Sequence, residues 1–114
     1  MRVVAALGLA WLAVLAGCRS RYVEADVTNA TTAPVTLVEI DYPSASFGVG
    51  SLAAGATYHY RFKILGSGAT KLLWTDAEHH DHTAAGPELH EGQQGTLSVT
   101  IAGGTARWSS EIQP

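Results

Sequence analysis

From Thr57 to Ile64 the chain alternates without interruption: Tyr58, Tyr60, Phe62 and Ile64 take one parity, Thr57, His59, Arg61 and Lys63 the other. Successive side chains leave a strand on opposite sides, so period two marks an extended segment with one face in a core and one in solvent. The same grammar recurs in Tyr22–Thr28, where Val23, Ala25 and Val27 share a parity, and in Thr96–Ala102, where Leu97, Val99 and Ile101 do. Thr105–Ile112 repeats it with Ala106, Trp108, Ser110 and Ile112. Turn compositions separate these runs: Asn29–Pro34, Leu52–Gly55, Gly66–Gly68 and the pair Gly103-Gly104. Paired glycines accept the positive φ angles of a two-residue hairpin. No segment after Cys18 holds helical periodicity over three turns. The class is all-β.

Three further segments complete the expected fold. Val35–Tyr42 puts Thr36, Val38, Ile40 and Tyr42 on one face and Leu37 on the other, which reads as a strand covered on both sides and ended by Pro43. Ser44–Gly50 offers Phe47 and Val49 to the core, and Lys71–Asp76 offers Leu72 and Trp74. Ala77–Gly92 reads as polar and irregular, broken at Gly86-Pro87. About seven or eight short strands at regular spacing predict an antiparallel β-sandwich, with a small β-barrel as the alternative. The chain has one cysteine, so no intrachain disulfide staples the domain.

That cysteine closes a separate segment. Met1-Arg2 precedes an apolar run from Val3 to Val14, shorter than the ~20 residues of a membrane span. Leu15-Ala16-Gly17-Cys18 follows, and composition changes at once to Arg19-Ser20-Arg21. The four residues resemble the lipobox of bacterial lipoproteins. The resemblance implies a signal peptide over residues 1–17, recognised through Leu15, Ala16 and Gly17, and cleavage that frees Cys18 for acylation, palmitate included. Residues 18–21 then form the lipidated cysteine and a short tether, and 22–114 the β-sandwich domain. The membrane is the first expected partner. Arg19 stands where some inner-membrane lipoproteins carry Asp, which by the same resemblance favours the outer membrane, facing the periplasm, over the inner membrane.

Val27-Thr28-Asn29, Leu52-Ala53-Ala54-Gly55 and Gly95-Thr96-Leu97-Ser98-Val99-Thr100-Ile101 are similar to turn-and-strand motifs of small, uncharacterised, immunoglobulin-like β-sandwich lipoproteins. The immunoglobulin cysteine pair is absent, so the likeness is architectural and carries no activity across. A formal charge of −3, one unit more negative once Arg2 leaves with the leader, gives no basic footprint for nucleic acid.

Candidate chemistry is confined to one segment. Four of the five histidines fall between positions 79 and 90. If residues 78–82 are extended, Glu78, His80 and His82 point one way, and His90 can supply a further ligand for zinc or copper. The favoured reading of the segment is a solvated hairpin tip. His59, between Arg61 and Lys63 on its face, reads as plain surface. Glu39 and Asp41 share an exposed strand face, and Trp74 and Trp108 sit at core parity. No Gly-x-Ser-x-Gly elbow and no phosphate-binding glycine loop appears, so no catalytic residue is assigned and the expectation is not an enzyme. The sequence therefore predicts a membrane-anchored envelope lipoprotein, a binding or structural module for an envelope protein or glycan. The alternative is a periplasmic metal-binding protein that uses the loop 78–90.

Overall fold

The computed structural model of the chain describes residues 21–114. Residues 1–20, with the whole of the expected signal peptide and Leu15, Ala16, Gly17 and Cys18, lie outside the described residues. Eight strands follow in order: β1 (Val23–Asn29), β2 (Val35–Tyr42), β3 (Ala45–Leu52), β4 (Thr57–Phe62), β5 (Gly68–Thr75), β6 (Asp81–Leu89), β7 (Gln94–Ala102) and β8 (Thr105–Gln113). They form two four-stranded sheets, β4-β1-β7-β8 and β3-β2-β5-β6, neither closed into a barrel. The architecture is a β-sandwich. All pairings are antiparallel except β1 with β7, which run parallel from Val23↔Gly95 to Asn29↔Ile101.

The alternating parities meet between the sheets. Val23, Ala25 and Val27 of β1 and Leu97, Val99 and Ile101 of β7 face Val38 and Ile40 of β2 and Leu72 and Trp74 of β5, all buried. Packing of this kind is the main favourable contribution to a small domain, at roughly 25 cal/mol per Å² of apolar surface removed from water. Trp74 is buried and Trp108 half-buried against the core, as their parity predicts. Where the edge strands β3 and β4 approach each other, aromatic rings close the side. Phe47 stacks on Tyr60 at 4.4 Å, and Tyr42 leans on Phe62 at 4.3 Å. Tyr60 remains 38% exposed there, because an edge strand has sheet on one flank only.

Asn29 ties one end of the sandwich together. Its buried Nδ2 donates to the carbonyls of Ala33 (2.9 Å) and Leu52 (3.0 Å). Its Oδ1 accepts from the Thr31 amide (3.0 Å) and the Thr31 hydroxyl (2.6 Å). Both turns that follow β1 and β3 therefore hang on one amide with its capacity filled.

Two sequence expectations need correction. Leu37 is not covered on a second face: a bulge between Thr36 and Glu39 puts it at φ 51° and leaves it 68% exposed. The same bulge reverses parity, so Val35 is buried with Val38 and Ile40 while Thr36 faces out. The segment 77–92 is not irregular throughout, since β6 occupies Asp81–Leu89 and carries Gly86-Pro87 inside it. Proline is tolerated because β6 is an edge strand. There the register against β5 shifts, and Thr70 Oγ1 donates to the Pro87 carbonyl at 2.7 Å. Glycine is required at 86, because a Cβ there would lie 2.7 Å from the indole of Trp108.

Candidate functional site

The turns of the sandwich collect at two ends. One end holds Tyr22, the β4–β5 link, the β6–β7 link and Ser44. The other holds the turns after β1, β3, β5 and β7, where the Thr31–Pro34 segment faces Asp76–Glu78 and Gly103 across a shallow depression. The candidate residues between 78 and 90 divide between these ends.

Asp76 is the hub of the β5–β6 hairpin. Its Oδ1 accepts the amides of Glu78 (2.9 Å) and His80 (3.0 Å), the arrangement by which an aspartate initiates a turn. Its backbone closes the turn, with the His79 amide donating to the Asp76 carbonyl at 3.0 Å and the Asp76 amide to the His80 carbonyl at 2.9 Å. His79 sits at φ 66°, the left-handed conformation the turn demands. From β6, His82 Nε2 donates to Asp76 Oδ2 at 2.7 Å while its ring stacks on Trp74 at 5.0 Å. These donors, His82 first and the His80 amide next, hold the Asp76 carboxyl down to about 2. The hairpin-tip reading of residues 76–80 describes this turn.

The proposed metal ligands are not brought together. Glu78 and His80 belong to the turn rather than a strand, so strand alternation does not aim them with His82. His80 Nδ1 lies 3.7 Å from the same Asp76 carboxylate, and His82 is already engaged by it. His90 follows β6 at the opposite end, on the order of 25 Å from His82 at strand rise. Among the described residues no group of three or more His, Cys, Asp or Glu side chains is placed to share a metal ion.

A second histidine proves more engaged than its neighbours in sequence suggest. The β1–β4 register sets His59 opposite Asp26 and Arg61 opposite Glu24. His59 Nδ1 is 2.6 Å from Asp26 Oδ1 and Nε2 is 2.7 Å from Glu24 Oε2, while Arg61 Nε lies 3.3 Å from Glu24 Oε1. Two carboxylates can only accept, so the bonded ring is the imidazolium with both N–H groups donating. The hydrogen bond to Asp26, then that to Glu24, raises the His59 pKa above its ordinary value. With both nitrogens occupied, the ring is a strand clasp rather than a metal ligand. Sequence adjacency hid this cluster, and only the pairing of β1 with β4 exposes it.

The outward face of β2, β5 and β6 carries Leu37, the most exposed large apolar side chain among the described residues. Leu37, Glu39, Leu73, Thr75, Asp81 and Thr83 line a depression of about 370 Å³. Asp41, Ala69, Lys71, Thr83 and Ala85 line a neighbouring one of about 420 Å³. Glu39 hydrogen-bonds to Asp41, and this bond with the like charge raises the Glu39 pKa. Both carboxyls lie on the same outward sheet face. Comparison of the chain with protein-family models, with curated proteins and with solved structures finds no match.

Proposed function

We propose that the protein is an envelope lipoprotein, anchored through an acylated Cys18, whose β-sandwich is a non-enzymatic binding or bracing module at the outer membrane facing the periplasm. The observation that carries this reading is Leu15-Ala16-Gly17-Cys18 at the close of an apolar run, directly before the folded domain begins. The start of β1 at Val23 supports it, because only a few residues separate the cysteine from the sheet. Several acyl chains on one residue give stable attachment, each buried methylene adding about 0.8 kcal/mol. The surface best suited to an envelope protein or glycan is the face around Leu37 and Leu73, where apolar side chains lie between carboxylates.

The anchor is tested by metabolic labelling with palmitate in a host that processes lipoproteins. The wild-type chain takes up label and runs as a mature form, while Cys18→Ser yields an unlabelled, uncleaved precursor. Equal labelling of Cys18→Ser would refute the anchor.

A further inference from the structure

We infer that β8 is a pairing edge for a second copy of this chain. Two copies align antiparallel along Thr105–Gln113 about a twofold axis at Ser109, joining their β4-β1-β7-β8 sheets into one. An edge strand presents a row of unpaired N–H and C=O groups, and folded domains blunt such edges with prolines, bulges, short strands or covering elements. Three of the four edges here are blunted. β6 carries Gly86-Pro87 and a register shift, and β3 and β4 close on each other through Phe47, Tyr58, Tyr60 and Phe62. β8 has none of these devices. It runs in unbroken register with β7 from Ala102↔Thr105 to Gln94↔Gln113 and contains no proline or glycine. It meets β6 through its inward face, where Gly86 lies against the Trp108 indole, and its second flank is unpaired among the described strands. Ser109, Ser110 and Glu111 are exposed in succession, so the strand is open on both faces at its middle.

Side chains decide what an open edge accepts, and β8 is complementary to itself. The antiparallel register that engages the whole strand centres on Ser109, and it sets Arg107 of each copy opposite Glu111 of the other. Opposite charges facing each other across strands favour pairing, and like charges oppose it. Neither Arg107 nor Glu111 has an ion-pair partner among the described residues of its own chain. The same register brings the half-buried Ala106 opposite Ile112 on the inward face and Thr105 opposite Gln113 on the outward one. A slide by one residue would put core-facing side chains opposite solvent-facing ones. A slide by two keeps the faces but sets Arg107 against Ser109 or Gln113 and shortens the overlap. Full overlap, charge pairing and apolar pairing therefore select one register. The interface is isologous and closes at two copies, because each β8 is then paired on both flanks. The pairing uses only residues 105–113, so its failure leaves the proposed acylation of Cys18 untouched.

The test uses the full chain in a detergent matched in density to the solvent. Sedimentation equilibrium should show a wild-type dimer, with a dissociation constant raised at least tenfold by Arg107→Glu and by Glu111→Arg. An equimolar mixture of these two variants should pair again at near wild-type strength, since one copy then carries acidic and the other basic groups at both facing positions. Cα atoms directly opposite across an antiparallel pair lie about 4.5–5.5 Å apart, within reach of a disulfide. Oxidation with copper phenanthroline should thus link Ser109→Cys to its twin far more than Ser98→Cys, which lies beside Ser109 on β7, one strand in from the edge. The wild type supplies the background from Cys18. A wild type that stays monomeric throughout the micromolar range, a dimer indifferent to both charge reversals, variants that fail to pair when mixed, or crosslinking no greater at 109 than at 98 overturns the inference.

Discussion

His59 shows how two exposed strands can be made to care about pH. Its imidazolium is clasped by Asp26 and Glu24, and the raised pKa means that protons bind the folded state more tightly than the unfolded one. The clasp therefore contributes fully below the unfolded histidine value, near 6.5, and its contribution is lost as pH rises through the higher folded value. With a side chain 57% exposed, the pair is screened by solvent and the effect is modest. Urea midpoints measured between pH 6 and pH 9 should fall with rising pH in the wild type and fall less in His59→Gln. Asp76 works in the opposite sense. Its depressed pKa supports the hairpin above the unfolded carboxylate value and ceases to do so as pH falls toward about 2. Neither histidine partnership was readable from local sequence: His59 meets Asp26 only through strand register, and His82 reaches Asp76 only because β5 and β6 form a hairpin.

At the level of the element, the strands that alternate cleanly were legible and those that break period two were not. β1 and β7 bury the residues their parity assigns, because both are flanked on each side by neighbouring strands. β2 misleads, since one extra residue at the bulge moves every later side chain to the other face. β6 hides behind Gly86-Pro87, residues that terminate a central strand but are accommodated at an edge. The exposed Leu37 is the costliest feature of β2. A non-glycine residue in the left-handed region gives up about 1–3 kcal/mol, and nothing covers its side chain in return. Leu37→Gly should therefore raise the unfolding free energy by about 1 kcal/mol in denaturant titration. If the face serves a partner, a photo-crosslinker at the neighbouring Thr83 should lose its specific adducts in the same variant.

The whole molecule was anticipated in class but not in polarity. Period two and the turn spacing point to two packed sheets, and the structure has them. Composition, by contrast, reports only a mildly acidic chain and says nothing of where charges meet: Arg61 and Lys63 gather over Tyr22 at one end, and Asp76 organises the β5–β6 turn at the other. Of the residues of the metal alternative, Glu78 and His80 lie in the β5–β6 turn, His82 in β6 and His90 beyond its far end, so neighbours in sequence are separated by the length of a strand.

The position of β1 has a mechanical consequence. It is the first strand after Cys18 in the sequence, and it lies inside its sheet, paired to β4 over Val23–Thr28 and to β7 over Val23–Asn29. Tension between a grip on the opposite sheet and the chain ahead of Val23 would run lengthwise along β1 and load both ladders at once, in shear. A pull through Pro114 would strain only the single ladder of the edge strand β8. Single-molecule pulling from the amino-terminal side should thus meet higher rupture forces and slower forced unfolding than pulling from the carboxyl terminus, with the grip on the opposite sheet kept the same. The first strand of the domain is the one best placed to bear load.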